Sequence, residues 1–273
     1  MSKFVDKLHN LSKSLASPIG FHPSAREPKG SAMLLIAGLS GAEVKEAETV
    51  AGVNVDAALV LNQGFDTKIV KQMIKTLGDV PLGVLVKEIS EEKVKELVDL
   101  GCDFVVFDIK VPVETLHKEG IGKSLMIVPS LDHGLVRAIN SLDIDSVFLG
   151  CGDDSFITVE HLLIYQRFGE LLDKPLIVIL PSLVNSDVLS KLRDAGVGGV
   201  VTPTAQPSEA FIELRKVIDN LPQKAERRRA SAILPRYGGG VPIGEGQEEE
   251  EEEEEEEMFS HPVCHPEQSE GAS

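Results

Sequence analysis

Lys174-Pro175-Leu176-Ile177-Val178-Ile179-Leu180-Pro181-Ser182, followed by a helical stretch from Asp187 and then Val197-Gly198-Gly199-Val200-Val201-Thr202-Pro203-Thr204, decides the fold. Leu176 to Leu180 is apolar without alternation, so a strand made from it is buried on both faces. Such strands belong to parallel sheets with helices packed over them. Between the two runs Val188, Leu189 and Leu192 share one helical face, and Gly196 marks the stop. One strand–helix–strand unit is complete in this stretch.

Working outward, the same unit repeats from Met33 to about Pro222. Strand-like runs occupy Met33–Ser40, Ala57–Gln63, Pro81–Glu88, Cys102–Lys110, Ser124–Ser130, Ser146–Cys151, Pro175–Ser182 and Val197–Thr204. Each is followed by a segment with helical periodicity. The third unit carries the fullest signals. Ser90 caps, Glu91 and Glu92 suit the positive helix start, and Ile89 staples onto Val94. Val94, Leu97 and Val98 form the apolar stripe, and Gly101 ends the helix. Eight βα units in succession predict an α/β protein with a closed (β/α)8 barrel over residues 31–222. The rival is an open doubly wound sheet, but Gly38-Leu39-Ser40-Gly41 after the first strand is not G-x-G-x-x-G.

The ends differ from this core. Phe4, Leu8, Leu11 and Leu15 recur at helical spacing, and Pro18, Gly20, Pro23, Pro28 and Gly30 follow. Residues 1–30 therefore read as a helix that covers one end of the main domain, then a linker. Residues 223–273 hold Arg227-Arg228-Arg229, a Gly/Pro-rich stretch and the glutamate run Glu248 to Glu257, a composition expected to stay disordered. The terminal segment from His261 resembles the translated edge of interspersed repeats of bacterial genomes, which makes His261, Cys264 and His265 accidents rather than metal ligands.

Charge and composition narrow the function classes. The chain has 44 acidic against 27 basic side chains, net −17, but residues 1–222 hold 30 acids and 22 bases, or −8. No basic face for phosphate contacts is recognisable, Trp is absent and Tyr occurs twice, so nucleic acid and anionic membrane are not expected partners. Lys3, Asp6, Lys7 and Lys13 interrupt any signal-peptide core, and the apolar runs are strand-sized. Cys102, Cys151 and Cys264 form no C-x-x-C pair, which fits a reduced compartment and supplies no metal framework. A cytoplasmic protein with a small-molecule ligand is expected.

In a barrel of this kind ligands bind where the strands end. On the fourth strand Phe107 and Ile109 share one parity, while Val106, Asp108 and Lys110 share the other. With the apolar pair packed under helices, Asp108 and Lys110 lie side by side in the barrel opening. A carboxylate beside an ammonium keeps both charged, which suits proton transfer, anion binding or a plain ion pair at the rim. Lys87 and Glu88 end the third strand, and Asn62 ends the second. Asp132-His133 follows the fifth, where the imidazole is a candidate general base. Asp153 and Asp154 follow the sixth; two adjacent acids suit Mg²⁺ held through water, and capping of the next helix through Asp154 or Ser155 explains them as economically. Ser182, Thr202 and Thr204, closing the last two strands, are candidate ligand contacts. Asp108, Lys110, Lys87 and His133 are thus the catalytic candidates, and no metal site is assigned.

Two resemblances accompany this reading. Asp108-Ile109-Lys110 resembles part of the D-x-K-x-x-D signature of the orotidine monophosphate decarboxylase family; Val113 stands where the second Asp would be, and the motif falls on the fourth strand rather than the third. Residues 174–205 resemble the closing quarter of phosphate-binding barrels, including FMN-linked oxidoreductases and thiamine phosphate synthase-like enzymes. Ala195-Gly196 and Thr204-Ala205 sit where those families have them. The resemblance implies FMN or another phosphorylated ligand held by glycine backbone N–H groups beside a helix start. Here Leu183-Val184 replaces Gly-Gly and Pro203 replaces a loop glycine, so the phosphate-binding site is degenerate.

Two functions follow. One is a small-molecule enzyme: a lyase, isomerase or flavin-linked catalyst acting at the barrel opening. The other is a barrel without catalysis that serves as a binding or scaffold module. Related barrels also pair as homo-oligomers, and no face in the sequence is singled out for it.

Overall fold

A computed structural model describes residues 2–15, 31–62, 64–87, 90–117, 120–150, 152, 154–204 and 208–221. The expectations for the linker, for Gln63, Glu88, Ile89, Cys151 and Asp153, and for the tail from residue 222 onward lie outside the described residues. Eight parallel strands close into a barrel in sequence order, β1 pairing with β8. They are β1 (Leu34–Leu39), β2 (Ala57–Val60), β3 (Leu82–Val86), β4 (Phe104–Asp108), β5 (Gly122–Ile127), β6 (Ser146–Gly150), β7 (Leu176–Ile179) and β8 (Val197–Pro203). The molecule is a TIM barrel, and every strand falls inside or overlaps a run expected to form one.

The helices are α1 (Lys3–Leu15), α2 (Lys45–Ala51), α3 (Thr67–Leu77), α4 (Glu91–Leu100), α5 (His133–Ala138), α6 (Val159–Leu171), α7 (Ser186–Asp194) and α8 (Ser208–Asn220). Their ends follow the chemistry of their sequences. Ser90 caps α4 by accepting from the Lys93 backbone N–H, and Gly101 ends it in the left-handed region at φ 94°. α7 starts at Ser186, one residue ahead of the expected Asp187, and is capped by Asn185, while α6 is capped by Thr158 rather than by Asp154 or Ser155. One unit departs from the repeat. Between β4 and β5 the described residues form a short 3-10 helix, Val113–His117, with no α-helix.

Strand alternation divides the apolar residues into two cores. Outside the barrel, Leu35, Val60, Val84, Phe107, Val147 and Val178 pack under the helices. Inside it, Ile36, Leu59, Val106, Phe148, Ile177 and Val201 meet in layers. The N-terminal helix completes the inner core. Phe4, Leu8 and Leu11 of α1 are buried within it, and the Phe4 ring stacks on Phe104 at 4.0 Å. Burying three such side chains contributes about 1.5–3 kcal/mol each. Asp103, just ahead of β4, holds the start of α1 by accepting from Ser2 Oγ (2.7 Å) and from the backbone N–H groups of Lys3 and Phe4 (both 2.8 Å). The helix therefore closes the barrel at the N-terminal ends of its strands, opposite the end where barrels of this kind bind ligands.

Several polar groups near the core are paired. Ser124 and Ser146, inward-facing and fully buried, share a hydrogen bond of 2.8 Å between their hydroxyls. Arg215 on α8 bonds Asp56 and Asp219, each at 2.8 Å. Burial works against its charge, yet the two carboxylates outweigh burial and hold its pKa above the ordinary value. Lys7 donates to the Asp56 carbonyl, and burial lowers its pKa. Among the described residues no helix is long and apolar enough to cross a membrane.

Candidate functional site

At the C-terminal ends of the strands, β3 and β4 bring charge together. Leu85 pairs in register with Val106, and Val86 with Phe107. Carried one residue further, the same register sets Lys87 level with Asp108. Both share the parity of the inner-core residues Leu85 and Val106. Lys87, in the bend after β3, and Asp108, the last residue of β4, thus end neighbouring strands at the opening. Lys110 follows in the turn after β4, and its backbone N–H donates to Asp108 Oδ1 at 3.1 Å. Asp108 is half-buried, whereas Lys87 and Lys110 are exposed. No ion pair joins Asp108 to Lys110, nor either lysine to another described residue.

The other candidates do different local work. Asn62 accepts from the Gly64 N–H at 3.1 Å and so closes its own turn. Asp132 caps α5 by accepting from the Gly134 N–H at 2.7 Å, which makes the exposed His133 the first residue of that helix rather than a loop residue. Ser182 Oγ donates to the Ser155 carbonyl at 3.3 Å. Thr202 is fully buried with the parity of Val200, toward the helices, and its hydroxyl has no hydrogen-bond partner. The backbone N–H and Oγ1 of Thr204 both donate to the Gly38 carbonyl, at 2.9 and 3.0 Å, sealing β8 to β1. Glu88 and Asp153 lie outside the described residues.

These contacts bear on the region where phosphate-binding barrels use glycine. Leu183 is exposed and Val184 packs against the outer core. Pro203 pairs with Gly38 and brings no N–H. The next N–H, that of Thr204, is committed to Gly38, and Asn185 takes the N–H of Val188 in the first turn of α7. On the β3–β4 side Lys87 and Lys110 are exposed. Among the described residues no group of three His, Cys, Asp or Glu side chains is arranged to hold a metal ion.

One polar contact near the opening escaped the sequence reading. His161 is buried on α6, with Nε2 3.4 Å from Asp154 Oδ2 and Nδ1 3.1 Å from the Thr158 backbone nitrogen. Thr158 and His161 form a reciprocal cap. Its signal in sequence is the Thr-x-x-His spacing, with His in the place usually held by Glu or Gln.

No known protein family and no curated protein matches the chain. Solved structures do. The chain is similar to a point mutant of the tryptophan synthase α-subunit of Pyrococcus furiosus, with 16% identity over 70% of this chain and 98% of that one, TM-score 0.53. It is similar to the thiamine phosphate pyrophosphorylase of the same organism, with 15% identity, the same coverage and TM-score 0.53. At this level of identity the likeness establishes the fold alone, a TIM barrel.

Proposed function

We propose that the barrel binds a small anionic molecule at the β3–β4 side of its opening and carries out proton transfer on it, as a lyase or isomerase does. The observation that carries this reading is the β3–β4 register, Val86 level with Phe107, which if continued by one residue puts Lys87 beside Asp108, with Lys110 in the turn beyond. In this reading Lys87 and Lys110 neutralise the anionic group of the ligand. Asp108, between them, takes a proton from the bound molecule and returns it. Positioned proton transfer of this kind accelerates a reaction about 10²–10⁴-fold. His133 is a second candidate for the proton, reached from the start of α5. A flavin-linked step is less well supported, because Leu183, Val184 and Pro203 take the positions where FMN phosphate would need glycine N–H groups.

A second reading, a binding or scaffold barrel without catalysis, is favoured by one set of contacts. Asn62, Asp132, Ser182 and Thr204 each bond backbone near their own strand end and not each other.

Thermal melts against a panel of phosphorylated and carboxylated metabolites separate the two. A true ligand at 100-fold its Kd adds about 2.7 kcal/mol, which raises the melting temperature by about 5–10 °C in a domain of this size. The stabilisation is expected to vanish in Lys87→Met and Lys110→Met. In Asp108→Asn it should persist while turnover of the same compound stops. Stabilisation that survives in the Lys87→Met/Lys110→Met double variant would sink this assignment. A yellow protein releasing free FMN would return the site to the β7–β8 side.

A further inference from the structure

At the C-terminal end of the barrel the inward-facing strand positions are apolar, with one exception. Leu85 of β3, Met126 of β5 and Ile179 of β7 come from alternate strands, as one layer of a barrel core does, and pack half-buried on the inner core beneath them. The exception is Asp108, which pairs in register with Met126. Two glycines at this end differ in what surrounds them. A Cβ added to Gly38 would stand 2.9 Å from Leu61 Cδ1 and 3.1 Å from Val201 Cγ1, so the β1 side is filled. Gly150 pairs with Ile179 and has the parity of the inner-core Phe148. A Cβ added there would meet nothing nearer, among the described residues, than the Gly152 nitrogen at 3.9 Å. The room above the apolar layer therefore lies on the β5–β7 side, over Met126 and Ile179 and next to Asp108.

We infer that the ligand carries its anionic group on an apolar body, an aryl or alkyl group, and that this body lies on Met126 and Ile179 in the space beside Gly150. The inference rests on the anion site proposed above at Lys87 and Lys110, and adds what the remainder of the molecule must be. Two inter-strand steps of about 4.8 Å lead from Met126 to Ile179, room for a fused aromatic or a short alkyl chain. Apolar surface laid there leaves water at a gain. The unbranched, polarizable Met126 side chain adapts to the face or edge of a ring. The same surface disfavours a polyol such as a sugar phosphate. Its hydroxyls would give up water over Met126 and Ile179 and find no hydrogen-bond partner in return. Held between the lysines and this floor, the bond that joins head to body lies beside Asp108, the group assigned to move the proton.

Fluorescence titration of the full chain with two probes tests this. Anilinonaphthalene sulfonate carries an anion on an aryl body, and phenylnaphthylamine is the same body without the sulfonate. Both are expected to bind saturably, the sulfonate about tenfold more tightly. Gly150→Leu fills the space without burying a polar group, and should weaken both probes by about tenfold or more while far-UV circular dichroism stays unchanged. Met126→Gln, which makes the floor polar at nearly constant volume, should act in the same direction and serves if Gly150→Leu melts early. The Lys87→Met/Lys110→Met double variant should weaken the sulfonate alone, down to the affinity of the uncharged probe. Failure of both probes to bind overturns the inference, as does binding that Gly150→Leu and Met126→Gln leave unchanged. The two readings can also fail separately. If the floor variants weaken both probes and the lysine variant weakens neither, the anion site falls and the apolar floor stands. If only the lysine variant has an effect, the anion site stands and this inference falls.

Discussion

Asp108, Asn62 and Asp132 each turn an oxygen back onto a backbone N–H two residues ahead. Asn and Asp do this readily wherever a strand gives way to a turn. The same residue types at the same positions also serve as catalytic acids and ligand contacts, so composition at the strand ends does not separate the two uses. The parity that points Asp108 into the opening was legible. The register that sets Val86 level with Phe107 was not, because it depends on the neighbouring strand. Cys102 illustrates a residue property with a measurable consequence. Burial, with Asp103 adding to it, pushes its thiol up from the ordinary value near 9.0 to about 12. The unfolded chain loses this proton near pH 9, while the folded chain keeps it. Between those values the folded state binds more protons, so stability is complete below pH 9 and falls as pH rises toward 12, by up to about 1.4 kcal/mol per unit. Urea unfolding at pH 8 and 10.5 should show wild type losing about 2 kcal/mol relative to Cys102→Ala. Equal losses in both proteins would remove Cys102 as the cause.

Elements were more legible than single side chains, because each rests on many residues at once. Continuous apolar runs marked the strands, and Ser90 and Gly101 marked the two ends of α4. The fourth unit failed for a reason that periodicity does not register. Leu116 and Val113 keep helical spacing, yet the described residues there form only the 3-10 turn Val113–His117. Inside the barrel, strand packing sets its own constraint at Gly83. A Cβ added there would stand 2.3 Å from ring atoms of Phe104. That ring cannot retreat easily, since Phe4 stacks on it. Gly83→Ala is therefore expected to cost about 1–3 kcal/mol, read from the urea midpoint, and adding Phe104→Leu should recover part of the loss. A midpoint equal to that of wild type would mean the layer is looser than this spacing requires.

At the level of the whole molecule, the inner core is not made by the barrel alone. Its strands contribute small residues at the N-terminal end, including Gly83, Ala57 and Gly122, and the space they leave is filled by Phe104 together with α1. A helix joined this way is part of the barrel's own packing, so loosening it should loosen the strands it touches. Asp103 gives access to that question without touching the core, because its carboxylate holds the first turn of α1 through three hydrogen bonds. Asp103→Ala removes them and is expected to cost about 1–2 kcal/mol, as loss of a helix cap does. Hydrogen exchange then distinguishes two architectures. If α1 and the inner core open as one cooperative unit, the amides of α1 and β4 lose protection by the same factor, about 5–30-fold for that energy. If the barrel closes independently and α1 only rests on it, protection falls in α1 alone and β4 exchanges as in wild type. The stacking of Phe4 on Phe104 and the burial of Leu8 and Leu11 among inward-facing strand residues predict the first outcome.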